Sequence, residues 1–119
     1  MTRIAVSSLV AAAVAAIAFL VPAQGATGRL TGEVGPSFKI EVSKGGNDVK
    51  TLKAGTYKIH IEDKATIHNF HLIGPGVNKK TPVAGSVTQT WTVKLKKGTY
   101  TYMCDVHAST GMKGKFTVK

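Results

Sequence analysis

Three residues near the carboxyl terminus have side chains that bind soft or borderline metal ions. Cys104 is the only cysteine, His107 follows it by three positions, and Met112 follows His107 by five. Two imidazoles and one thiolate in a trigonal plane, with a weak axial thioether, form the ligand set of a blue-copper electron-transfer centre. The spacing therefore indicates one copper ion that is held mainly by a single short segment.

The second imidazole must come from another part of the chain. Residues 67–71, with the sequence I-H-N-F-H, offer two candidates, His68 and His71. Side chains alternate between the two faces of a strand, so these histidines would point to opposite sides. His68 shares its face with Phe70 and Leu72, an apolar set typical of the side that faces the core and the thiol. Alternation favours His68, whereas a bulge in the strand would favour His71.

Short alternating segments between glycine-rich turns must position these ligands. The pattern predicts strands over residues 29–34, 37–42, 57–61, 67–73, 87–95, 100–104 and 114–118. About six to eight short strands, without sustained helical periodicity, predict an all-β antiparallel sandwich or barrel. Tyr100, Tyr102 and Cys104 share one face, so the thiol is expected at the end of the core. In the second segment, Phe38, Ile40 and Val42 are expected on one side of the strand, opposite Lys39 and Glu41.

The amino-terminal part of the chain differs in composition from the rest. Arg3 precedes an apolar run over residues 4–21, and small residues follow that run. We interpret residues 1–25 as a secretory signal peptide cleaved between about residues 23 and 26, with an uncleaved membrane anchor as the alternative. Residues 28–119 would then form one domain, exported to the periplasm or the extracellular space. A lone cysteine in an exported protein suits a metal ligand, a reactive thiol or an intermolecular bond.

The chain is strongly basic, with 16 Lys and Arg against 6 Asp and Glu. Loss of the signal peptide would remove one cation and leave 15 against 6, a net charge of +9. This charge indicates either attraction to an acidic redox partner or solubility from a dispersed cationic surface. No nucleic-acid-binding motif and no Ser-His-Asp or paired-carboxylate arrangement is recognisable, so we expect neither nucleic-acid binding nor enzymatic activity. His60 is interpreted as a solvent-facing strand residue, and Glu62 and Asp63 as surface or turn-capping residues.

A family resemblance is carried by the segment around the cysteine. Residues 104–112, C-D-V-H-A-S-T-G-M, are preceded by G-T-Y-T-Y and followed by K-G-K-F-T-V. This segment resembles the copper-binding segment of cupredoxins, in particular the plastocyanin-like group, and I-H-N-F-H-L upstream resembles that group's first ligand strand. The resemblance spans roughly residues 55–118. It implies a Greek-key sandwich that binds one type 1 copper ion and shuttles single electrons.

The resemblance also implies roles for particular residues. By position, the copper ligands would be His68, Cys104, His107 and, axially, Met112. Asn69 matches the family's Asn, which hydrogen-bonds across to the cysteine loop, and its partner here would be the backbone or side chain of Asp105. Such contacts orient ligands and tune the metal. Met103 stands where plant plastocyanins have a Tyr in front of an acidic patch, so that remote electron route is not expected.

The sequence therefore predicts an exported, monomeric cupredoxin that passes single electrons between redox protein partners. Electrons would pass through the exposed edge of His107, surrounded by apolar residues such as Ile73, Pro75 and Val106. One alternative is a copper storage or delivery protein with the same ligands. Another is a secreted β-sandwich interaction domain in which the metal motif is accidental.

Overall fold

The computed structural model describes residues 28–119, which form two five-stranded β-sheets. The strands are β1 (Gly28–Val34), β2 (Ile40–Lys44), β3 (Asn47–Asp48), β4 (Thr51–Leu52), β5 (Gly55–Asp63), β6 (His71–Gly74), β7 (Val77–Lys80), β8 (Thr88–Leu95), β9 (Gly98–Met103) and β10 (Lys113–Val118). The first sheet has the order β3-β2-β1-β5-β8 and the second the order β4-β10-β9-β6-β7. The predicted β-sandwich is confirmed. The predicted signal peptide, residues 1–25, lies outside the described residues.

Most neighbouring strands are antiparallel, but β1 pairs with β5, and β4 with β10, in parallel. The core lies between the sheets and is filled from their inner faces. In β5 and β8 the buried side chains alternate with more exposed ones, as the sequence pattern predicted. Because one face of each sheet is buried, a register slip of one residue would turn the apolar set towards solvent, so the alternation also fixes the pairing.

Strand β9 leads directly to the cysteine, and its two inward-facing tyrosines lie over glycines of the neighbouring strands. A Cβ atom at Gly114 would collide with the ring of Tyr102, and one at Gly74 would collide with the ring of Tyr100. Glycine is required at both positions because only its bare backbone allows so close an approach. The tight packing fixes β9 and therefore the place where Cys104 leaves the sheet.

The strand predicted over residues 37–42 begins later than the sequence pattern indicated. Strand β2 starts at Ile40, and a hydrogen bond of 2.9 Å from the Gly35 N–H to the Lys39 carbonyl closes the loop before it. Phe38 lies in this loop and is 67% exposed. The prediction that Phe38 shares a strand face with Ile40 and Val42 is therefore wrong, because Phe38 lies in the loop before the strand.

The strand predicted over residues 67–73 also begins late, because β6 starts only at His71. Before it, the Phe70 N–H donates to Thr81 Oγ1 at 2.8 Å, and the Thr81 N–H donates to the Phe70 carbonyl at 2.9 Å. His68, Asn69 and Phe70 are all buried, which a strand with alternating faces would not allow. Strand alternation is therefore the wrong reason to prefer His68.

Helical structure is scarce in this part of the chain. The 3₁₀ turn Ala108–Thr110 is the only helical element within residues 28–119. No helix in that range is long and apolar enough to cross a membrane.

Candidate metal centre

Two imidazoles and the thiol meet at one end of the sandwich. The Nδ1 atoms of His68 and His107 are 3.0 Å apart, and Cys104 Sγ lies 3.7 Å from the first and 3.5 Å from the second. His68 comes from the segment between β5 and β6, while Cys104 directly follows β9. His68 and Cys104 are fully buried and His107 is half-buried. The structure therefore brings together the three strongest ligand types that the sequence singled out.

These separations fit a bound metal ion. A metal about 2.0–2.3 Å from two imidazole nitrogens and one thiolate sulfur, with ligands 120° apart, separates those atoms by roughly 3.5–3.7 Å. The two sulfur–nitrogen separations, 3.5 and 3.7 Å, lie within that range, and the nitrogen–nitrogen separation of 3.0 Å is shorter. The remaining nitrogen of His68, Nε2, is buried and has no hydrogen-bond partner among the described residues. The polar contacts of this ring are therefore made by Nδ1, which faces the thiol.

The loop from Cys104 to Met112 is closed by its own backbone. The Cys104 N–H donates to the Met112 carbonyl at 3.0 Å, and the Met112 N–H donates to the His107 carbonyl at 3.1 Å. Gly111 has a φ of 105°, in the left-handed region that favours glycine. Met112 is 2% exposed. The backbone of the loop therefore holds its three predicted ligands, Cys104, His107 and Met112, close to one another.

A side-chain pair ties this loop to the segment that carries His68. Asn69 Nδ2 donates to Asp105 Oδ2 at 2.8 Å, and the Asp105 N–H donates to Asn69 Oδ1 at 2.8 Å. Asn69 thus contacts both the side chain and the backbone of Asp105. Since Asn69 follows His68 and Asp105 follows Cys104 in the sequence, this double hydrogen bond sets the spacing of two predicted ligands.

Asp105 has a further partner in His71. His71 Nδ1 lies 2.7 Å from Asp105 Oδ1, so this ring faces the carboxylate. Burial raises the pKa of Asp105, but hydrogen bonds from His71 and Asn69, together with the positive charges of His71 and Lys80, lower it more. The net effect is a pKa below the usual value of an aspartate. The carboxylate therefore stays ionised over the ordinary pH range.

Phe38 is a residue at this site that sequence reasoning missed. Its ring centroid lies 5.2 Å from that of His68 and 5.0 Å from that of His107, edge-on to both. Such edge-to-face contacts are favourable between rings. An aromatic residue two positions after Pro36, in a glycine-proline turn, was the available signal. The contact between this turn and the two histidines joins segments that are far apart in the sequence, so local sequence could not predict it.

Only some of the apolar residues expected around His107 lie near it. Val106 is exposed beside it, but the Pro75 carbonyl accepts a hydrogen bond from the Tyr100 hydroxyl. Tyr100 lies four residues before Cys104 in β9, or about 13 Å along an extended strand. Ile73 pairs with Thr101 of the same strand. The prediction is wrong for Pro75, because the β6–β7 hairpin runs away from the metal centre.

Asp63 is buried rather than exposed at the surface. It is the last residue of β5, is 4% exposed, and accepts the Ala65 N–H at 3.1 Å. Burial raises its pKa more than hydrogen bonds from Ala65 and Thr81 and the charge of His68 lower it. Of the two roles expected for it, turn capping is observed and surface exposure is wrong. The buried carboxyl group lies in the turn that leads to His68.

Comparisons with known proteins agree with this geometry. Residues 9–118 match the model of the cupredoxin-like domain. Reduced rusticyanin is 26% identical, with a TM-score of 0.58 over 76% of this chain and 78% of that chain. A second structure, of the copper protein rusticyanin, is 25% identical, with a TM-score of 0.58 over 76% of each chain. Auracyanin B shares the fold at 16% identity, with a TM-score of 0.56 over 81% of this chain and 91% of that chain. No curated protein matches closely enough to count as a relative.

Proposed function

This chain belongs to the cupredoxin-like domain family, and we propose that it is an exported type 1 copper protein that carries single electrons between redox protein partners. The convergence of His68 Nδ1, His107 Nδ1 and Cys104 Sγ within 3.7 Å carries the proposal. These atoms and the Met112 thioether would be the ligands of one copper ion, which supplies a one-electron couple when bound. Residues 1–25 would be the signal peptide and residues 28–119 the copper domain.

The surrounding protein suits electron transfer because it holds the ligands firmly. His68 and Cys104 are buried, the Cys104–Met112 loop is closed by backbone hydrogen bonds, and the Asn69–Asp105 pair joins the two ligand-bearing segments. Ligands that cannot shift far between oxidation states keep the rearrangement on electron transfer small. Burial also keeps water away from the thiolate.

The path for electrons would pass through the half-buried edge of His107. Three exposed apolar side chains lie on or beside the imidazole ligands: Phe38 at 67%, Ile67 at 51% and Val106 at 54%. An exposed apolar patch of this kind typically marks an interaction surface. A redox partner that covers this patch would come close to His107.

A carrier differs from a copper-delivery protein in whether copper leaves on reduction. The test is to cycle the copper-loaded protein between reductant and oxidant in the presence of a Cu(I) chelator, and to measure bound copper after each cycle. We expect copper to be retained through repeated cycles, because the buried side chains of His68 and Cys104 must move before the copper ion can dissociate. Stoichiometric transfer to the chelator on the first reduction would instead favour delivery.

Replacement of Met112 by Leu tests the axial role. We expect Met112→Leu to retain copper and its colour, because the axial contact in such sites is weak and long. The reduction potential should rise, since the copper loses an electron-donating ligand. Cyclic voltammetry measures the shift, and Met103→Leu, outside the proposed ligand set, is the matched control. Complete loss of copper from Met112→Leu would contradict the axial assignment.

The net charge of +9 predicted for the exported form leads to a test of partner choice. Electron transfer to an acidic partner should slow as the salt concentration rises, because the Debye length shrinks from ~10 Å at 0.1 M to ~3 Å at 1 M. Stopped-flow rates over this range measure the effect, with an uncharged redox reagent as the control. A rate with the physiological partner that does not change with ionic strength would assign the charge to solubility.

A further inference from the structure

His71 lies between two strands and the ligand loop, with both ring nitrogens engaged. Nδ1 is 2.7 Å from Asp105 Oδ1 and Nε2 is 2.6 Å from Asn78 Oδ1. Its side chain is only 12% exposed. The ring therefore bridges the start of β6, the edge strand β7 and the residue that follows Cys104.

We propose that His71 is a positioning residue for the metal centre, which holds Asp105 through Nδ1 and is itself anchored to Asn78 of β7 through Nε2. The inference rests on the proposed copper function. It assigns His71 no place among the ligands, because its Nδ1 faces the carboxylate rather than the thiol.

His71 would act on the metal centre through its hydrogen bond to Asp105. Asn69 binds Asp105 twice, at Oδ2 and at the backbone N–H, and His71 binds the remaining carboxylate oxygen, Oδ1. These three hydrogen bonds fix the side chain and the backbone of the residue between Cys104 and the rest of the loop. Partners at this distance from a metal commonly affect its affinity, because they orient the groups that bind it.

The surroundings of His71 bear on the charge near the metal. Its ring nitrogens lie 2.7 Å from the Asp105 carboxylate and 2.6 Å from the Asn78 side-chain oxygen. The other groups next to it are Lys80, its neighbour in β7, and Met103, its neighbour in β9. The positive charges of His71 and Lys80 lower the pKa of Asp105, and they offset part of the negative charge of its carboxylate beside the thiolate. A positive charge near the metal favours the reduced state, so replacement of His71 by a neutral residue should lower the reduction potential.

The test compares copper-loaded wild type with His71→Gln, which keeps a donor but not the charge, and His71→Ala, which keeps neither. His60→Gln and His60→Ala are matched controls, because His60 is another strand histidine with side-chain partners, Thr90 and Glu62, but lies in the other sheet. Copper release to a chelator and the reduction potential are measured for all five proteins at one pH.

We expect His71→Ala to release copper about tenfold faster than wild type, and His71→Gln to release it more slowly than His71→Ala. The reduction potential should be lower in both His71 variants than in the wild type. If both His71 variants match the His60 controls in release rate and reduction potential, the inference is overturned. If the wild-type protein does not turn blue when it is loaded with copper, the proposed function is overturned instead.

Discussion

Cys104→Ser is expected to abolish the intense visible absorption of the copper-loaded protein. The colour of a blue-copper site arises from charge transfer between the thiolate and copper, and a hydroxyl group cannot replace the thiolate as a soft ligand. Cys104 is also the only cysteine, so no other thiol can take its place. Absorption spectra at equal copper loading measure the change, and copper affinity should fall with the colour.

The substitution is nearly isosteric, so its effect on the fold should be small. Far-ultraviolet circular dichroism of the metal-free variant checks this, and Ser109→Ala, an exposed change in the same loop, serves as the control. An intense visible band that survives in Cys104→Ser would place the metal elsewhere and would contradict the site assignment.

The second large effect is expected from His68→Ala, which should destroy or grossly alter the copper spectrum. His68 Nδ1 faces both His107 Nδ1 and Cys104 Sγ, so the variant loses one of three proposed equatorial ligands. His71→Ala should leave the band nearly unchanged in position and intensity, because its ring faces Asp105. Its effects should appear in copper release and potential instead.

The pair of variants is its own control, since both remove a histidine from the same short segment. The opposite outcome, with the band lost in His71→Ala and kept in His68→Ala, would make His71 the ligand. Apo-protein unfolding measured for both variants separates loss of a ligand from loss of the fold, because His68 is buried and its removal leaves a cavity.

Much of the sandwich could be predicted because its strands have one buried and one exposed face. Strands β5 and β8 follow the period-two pattern closely, and that pattern depends only on sequence neighbours. The Cys104–Met112 loop could likewise be recognised, because three ligand types occur there within nine residues. In both cases the spacing of residues that are close in the sequence was sufficient for the prediction.

Contacts between distant segments could not be predicted in this way. Phe38 looked like a strand residue on the same face as Ile40 and Val42, yet its partners are the two histidine rings. Asn69 and Phe70 looked like part of a strand, yet they form hydrogen bonds with Asp105 and Thr81, outside their own segment. In both places a long-range contact outweighs the local strand pattern, and both lie at the metal centre, where such departures are expected.

The most direct test of the central claim is a visible absorption titration of the metal-free protein with Cu(II). The cluster of His68, Cys104 and His107 predicts an intense blue band that grows linearly and saturates at one equivalent of copper. The band should bleach on reduction and return on oxidation without loss of copper. A titration that gives only the weak colour of copper bound to oxygen and nitrogen ligands would contradict the proposal that this cluster is a type 1 copper site.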